Sequence, residues 1–140
     1  MAIDLMLVDD EEGVLDATVT LAQLAILRHS DTLPNLEIVK FYSGVDALNY
    51  LREHIGNLPR GYVVDMRMPF GSEELGAPTE IYRFLERHNA TEYFRFYTGH
   101  ISEHDLKVQE ETGAEILVKG RDSEKLEALF VELARTKPTQ

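Results

Sequence analysis

The stretch Gly61-Tyr62-Val63-Val64-Asp65-Met66-Arg67-Met68-Pro69 is a short apolar run that stops at a carboxylate. Such a run, bounded by a loop, reads as a buried strand delivering Asp65 to its C-terminal edge. In open parallel α/β sheets that edge is where ligands sit. A single aspartate in this position is commonly a helix cap or a turn former. Two further strand ends point elsewhere. Ile3-Asp4-Leu5-Met6-Leu7-Val8 runs into Asp9-Asp10, and Ile116-Leu117-Val118 runs into Lys119. If the strands are parallel neighbours, three carboxylates and one ammonium group converge at one edge.

Outward from this stretch the hydrophobic period alternates between two and about 3.6. After Asp9-Asp10-Glu11-Glu12, the residues Val14, Leu15, Thr18, Leu21, Ala22 and Ala25 recur at helical spacing, predicting a helix from about Gly13 to Arg28. Val19, Leu24, Ile26 and Leu27 widen its apolar stripe beyond one sheet face. Deep burial is the plainer expectation, and a docking or dimerisation face the alternative. Ser30 to Leu36 reads as a loop and Glu37 to Phe41 as a strand. Ser43 with Asp46 resembles a capping box opening a helix whose core face is Val45, Leu48, Leu51 and Ile55. Gly56 to Gly61 breaks that helix.

Phe70 to Ala77 is rich in glycine and acid, and Pro78 then opens a third helix with Ile81, Phe84 and Leu85 facing inward. Phe94 to Thr98 is a strand. Ser102 with Asp105 caps a short polar helix to about Thr112, and Gly113-Ala114 turns the chain into the last strand. A final helix from Ser123 carries Leu126, Leu129, Phe130 and Leu133 on one face, and Lys137-Pro138 ends it. Five strands alternating with five helices specify an α/β fold, a five-stranded parallel sheet covered on both faces. The 140 residues suit one domain over 1–136 with a C-terminal tail at 137–140.

The net charge of -11 disfavours a nucleic-acid surface and suits a protein that binds cations or basic partners. With no cysteine, disulfides and thiolate-bound zinc are excluded, which is compatible with a reducing cytosol. No apolar run approaches the roughly 18 residues of a membrane span, and the N-terminus lacks a basic segment leading into an apolar one. The expectation is a soluble cytoplasmic protein. His100 and His104 are four apart, but no third ligand lies nearby, which makes a zinc site a weak reading.

Two aspartates at the first strand and one at the third supply hard oxygen ligands. Magnesium takes such a site with one or two carboxylates and several waters, so Asp10 and Asp65 would ligate directly and Asp9 through water. A carboxylate beside a divalent cation can attack phosphorus, because the cation offsets repulsion from the phosphoryl oxygens. Lys119 would pair with one phosphoryl oxygen and the Thr98 hydroxyl would donate to another.

Together these residues resemble the receiver domain of two-component response regulators. The resemblance runs from Leu7-Val8-Asp9-Asp10-Glu11 through Ser43-Gly44-Val45-Asp46-Ala47-Leu48 and Asp65-Met66-Arg67-Met68-Pro69 to Thr98-Gly99, and closes with Gly113-Ala114 leading to Lys119. It implies a flavodoxin-like fold with strand order 2-1-3-4-5. It also implies that Asp65 accepts a phosphoryl group from a histidine kinase or phosphotransfer protein, with Arg67 lending its backbone carbonyl to magnesium. Output would pass through a changed protein surface to a partner the sequence does not name. In receivers the side chains two after the acceptor and two after the threonine flank the path of attacking water. Here they are Arg67 and His100, and Arg67 is expected to hold the phosphoryl group and obstruct that path.

Three features depart from the family pattern. Gly120 follows the lysine where proline is usual, which suggests a looser loop. Ile116 stands where many receivers carry a Tyr or Phe whose rotation accompanies switching. The loop after Met68-Pro69 is longer than usual. The missing proline and aromatic keep alive a degenerate receiver that binds partners without phosphorylation, against which the complete acidic set argues. A magnesium phosphohydrolase using Asp65 is disfavoured, because the Asp-x-Asp pair of haloacid-dehalogenase-type phosphatases is missing and residue 67 is Arg.

Overall fold

The computed structural model describes residues 2–67 and 77–138, so most of the glycine- and acid-rich stretch after Arg67 lies outside the described residues. The elements alternate throughout: β1 (Leu5–Val8), α1 (Glu12–His29), β2 (Ile38–Phe41), α2 (Gly44–Glu53), β3 (Gly61–Asp65), α3 (Pro78–Arg87), β4 (Tyr93–Thr98), α4 (Glu103–Thr112), β5 (Glu115–Val118) and α5 (Ser123–Arg135). The five strands form one sheet in the order β2-β1-β3-β4-β5, and every neighbouring pair is parallel. Fold class and strand order are those expected from the sequence.

β1 and β3 are buried along their whole length, as strands covered on both faces must be. Side chains alternating across the pleat feed two cores. One face packs Met6, Val8, Tyr62, Val64, Phe94 and Phe96 against α2, α3 and α4, through residues such as Leu48, Leu51, Ile81 and Leu85. The other packs Leu5, Leu7, Val63 and Leu117 against α1 and α5, through Leu15, Ala22, Leu126, Phe130 and Leu133. Each fully buried Leu, Val or Phe stabilises the fold by about 1.5–3 kcal/mol.

The helix starts follow local chemistry. Ser43 Oγ accepts from the Asp46 N–H at the start of α2, and Pro78 occupies the first turn of α3. At α4 the capping box is complete in both directions, and Gly113 ends the helix in the left-handed region at φ 77°.

Two expectations change. Ile55, on the periodic row expected to form the core face of α2, is 52% exposed. The helix stops at Glu53, His54 takes a non-helical conformation, and Ile55 begins a 3-10 turn to Asn57, which rotates it off the i, i+4 row. The wide stripe of α1 divides. Ile26 is buried and Val19 half-buried, whereas Leu24 and Leu27 are exposed.

Candidate functional site

Strand register builds the site. Val8 pairs with Val64 across β1 and β3, so the next residues, Asp9 and Asp65, emerge side by side. Thr98 pairs with Val118 across β4 and β5, so Lys119 leaves the sheet at the same edge. Asp9, Asp10 and Asp65 each offer a carboxylate oxygen, and these oxygens lie within 4.8 Å of one another. Asp9 and Asp65 are buried and Asp10 is exposed. Lys119 Nζ donates to Asp9 Oδ2 at 3.0 Å and lies 3.5 Å from Asp65 Oδ1.

Each local contact has a structural cause. The Glu11 N–H donates to Asp9 Oδ1 at 2.9 Å and the Arg67 N–H to Asp65 Oδ1 at 3.1 Å, which orients both carboxylates where their strands end. Burial raises the Asp65 carboxyl most. The Arg67 N–H and the Lys119 charge pull it down, the Asp9 and Asp10 charges push it up, and the group settles at about 6. Burial works against the Lys119 ammonium, but the Asp9 hydrogen bond and the Asp65 and Asp9 charges outweigh it, so its pKa is raised and it stays charged. The lysine also lies 5.5 Å from the Tyr97 ring centroid, a cation–π contact between residues 22 positions apart that has no local signature.

The donor set fits a hard divalent cation. Three carboxylates against one ammonium leave an excess of two negative charges in a largely buried pocket, and all the ligands are oxygens. Asp10, on the solvent side, leaves room for water ligands. Among the described residues this is the one cluster of three metal-ligating side chains, and neither His100 nor His104 belongs to it.

No family model matches the sequence, and no curated protein does. Solved structures do. A response regulator receiver domain from Clostridium thermocellum superposes with a TM-score of 0.69 at 19% identity, over 96% of each chain. A LuxR-family DNA-binding response regulator from Staphylococcus aureus gives 0.69 at 18%, over 94% of this chain and 98% of that one. The Vibrio cholerae chemotaxis protein CheY4 gives 0.66 at 17%, over 95% and 99%. This chain has the receiver-domain fold.

Within the receiver fold, Thr98 is fully buried at the end of β4. Its hydroxyl donates to the His100 carbonyl at 3.0 Å and accepts from Arg67 Nε at 3.3 Å. The Arg67 side chain, expected to hold a phosphoryl group, reaches toward the β4–α4 turn, where its Nη2 donates to the His100 carbonyl at 2.7 Å and to Asp105 Oδ2 at 2.5 Å. Asp105 was legible as a helix cap. Its second role was not, because its partner lies 38 residues earlier.

The loop after Lys119 is bonded rather than loose. Gly120 adopts φ 83°, open to glycine and strained for other residues, and this closes a tight turn. The Val118 carbonyl accepts from the Arg121 and Asp122 N–H groups, Val118 N–H donates to Asp122 Oδ2, and Lys119 N–H donates to the Thr98 carbonyl at 2.7 Å. Ile116 is buried in the core beneath α4, with no polar end to offer the site. An apolar cleft of about 500 Å³ opens beside Lys119, lined in part by Val14, Ala17, Leu21 and Tyr97.

Proposed function

We propose that this chain is a phosphorylatable receiver in which Asp65 accepts a phosphoryl group from a histidine kinase or histidine phosphotransfer protein. The observation that carries the reading is the charge arrangement around Asp65: two neighbouring carboxylates within 4.8 Å and an ammonium at 3.5 Å. Asp9, Asp10 and Asp65, with the Arg67 backbone carbonyl, would hold magnesium. When bound, the ion would offset repulsion between the acceptor carboxylate and the incoming phosphoryl oxygens. Asp65 Oδ would form the new P–O bond as the donor's P–N bond breaks, and the donor would leave with that electron pair. Lys119, held charged by Asp9, would pair with a phosphoryl oxygen, and Thr98 would turn its hydroxyl toward another.

The protein would work as a signalling phosphoacceptor in the cytoplasm, not as a turnover enzyme, and would pass its state to a protein partner through an altered surface. No described helix is long and apolar enough to cross a membrane. The test is mass spectrometry after incubation with acetyl phosphate and magnesium. Wild type should gain one phosphoryl mass and Asp65→Asn none, and an equal gain in the variant would overturn the assignment. A second reading, a partner-binding receiver that is never phosphorylated, draws on Ile116 in place of the usual aromatic. Wild type that gains no mass at saturating magnesium would favour it.

A further inference from the structure

We propose that Arg67 is a positioning residue that holds the first turn of α4 in its resting geometry and lets it go when Asp65 is phosphorylated. This coupling rests on the phosphoacceptor reading above. The main chain of Arg67 is tied to the acceptor, through the N–H bond to Asp65 Oδ1. Its guanidinium reaches the other way and touches three groups at once: the Thr98 hydroxyl, the His100 carbonyl and the Asp105 carboxylate. One side chain thus joins the end of β4, the β4–α4 turn and the first turn of α4.

Asp105 makes this junction more than a surface ion pair. It is 2% exposed, and the same Oδ2 that takes the guanidinium also accepts from the Ser102 N–H at 2.9 Å to close the capping box. A buried carboxylate needs its partners, because water cannot replace them. The amides of a helix's first turn have no intrahelical acceptors, so their protection depends on such caps. Here the caps are the Ser102 N–H to Asp105 Oδ2 and the Asp105 N–H to Ser102 Oγ at 3.2 Å, and the Leu106 N–H to the Ser102 carbonyl at 3.1 Å is the first main-chain bond of the helix, which frays when the caps are lost.

Phosphorylation would change what competes for the guanidinium. With an acyl phosphate as donor, Asp65 Oδ forms a P–O bond, the donor's own P–O bond breaks, and acetate departs with the electron pair. Asp65 then carries a dianionic group with three acceptor oxygens two residues before Arg67. Guanidinium pairs well with phosphoryl oxygens, and the Thr98 hydroxyl would be drawn to the same group. Both moves empty the contacts that hold Asp105 and the His100 carbonyl. Ile116, aliphatic and buried, provides no alternative polar link between Thr98 and α4.

The test is amide hydrogen exchange on the full chain, with beryllofluoride and magnesium standing in for the phosphoryl group, beside the whole-protein mass after acetyl phosphate. In wild type the Ser102, Asp105 and Leu106 amides should exchange about tenfold faster when beryllofluoride is added, the size of one lost charged hydrogen bond. Arg67→Gln should show the fast rate from the start and respond less than twofold. Asp105→Asn, which keeps an acceptor for the cap but loses the charge, should also start fast. If wild type gains a phosphoryl mass and Arg67→Gln still protects these amides as well as wild type does, the coupling is overturned while the phosphoacceptor reading stands. If wild type gains no mass, the phosphoacceptor reading itself falls.

Discussion

Asp65 sets the pH behaviour of the site. Its carboxyl, raised by burial to about 6, binds a proton more tightly in the folded chain than in the unfolded one. A raised carboxyl pKa contributes stability that is fully present below the unfolded value near 4 and is lost as pH rises through 6. At neutral pH the ionised group therefore works against the fold. Asp65→Asn should stabilise the protein by on the order of 1–3 kcal/mol at pH 7.5 and by roughly half as much at pH 5, where the folded carboxyl is largely protonated while the unfolded one is still mostly ionised. Thermal melts at the two pH values decide this, and equal stabilisation at both would contradict it. Asp65, Asp9 and Lys119 were legible because each follows an apolar strand, and in a parallel sheet chain order fixes which ends meet. Asp4 was not. It is buried at the opposite edge, where its Oδ2 accepts from the Glu37 N–H and from Lys137 Nζ at 2.9 Å, contacts with no local signature.

At the scale of elements, β3 and α5 pack closely at Gly61. A Cβ built on Gly61 would stand 2.4 Å from Leu133 Cδ1 and 3.3 Å from its Cγ, and Leu133 is fully buried, so the leucine has little room to withdraw. Gly61→Ala should destabilise by about 1–3 kcal/mol through overpacking, and Leu133→Ala by about 2–5 kcal/mol through the cavity it leaves. The added methyl would partly fill that cavity, so the double variant should lose less than the two singles combined. Urea unfolding of all three measures this, and strict additivity would show that the residues do not share the space. Leu24 and Leu27 on α1 carry the opposite expectation. Both are exposed, so replacing either with Gln should change stability by less than about 0.5 kcal/mol in the same assay. Hydrophobic period located most of the elements, because strands and helices bury their faces at different spacings, and the polar helix α4 was marked by its cap residues Ser102 and Asp105 instead. It could not fix where α2 stops. Ile55 continues the periodic row, and the turn at His54, not the pattern, removes it.

Over the whole molecule, negative charge dominates, at -11, and at the mouth of the site it is concentrated into three carboxylates facing one lysine. A divalent cation that binds there should stabilise the folded chain by mass action, since the unfolded chain does not hold these residues together. At a hundred times its dissociation constant the gain is about 2.7 kcal/mol. A second, less specific effect acts in the same direction: any salt screens repulsion within so acidic a protein. The two separate on three grounds. Magnesium should raise the melting temperature well above a sodium chloride control of equal ionic strength, and EDTA should reverse the difference. Asp10→Ala should abolish the magnesium-specific part while keeping the screening part. It should itself melt close to wild type without metal, because Asp10 is exposed. The pH dependence then ties the effect to Asp65. Metal must displace the proton from that carboxyl, so the magnesium-specific shift should be full at pH 7.5 and shrink as pH falls below about 6. A shift that is equal in sodium chloride, persists in Asp10→Ala, or ignores pH between 7.5 and 5 would mean that magnesium only screens the surface.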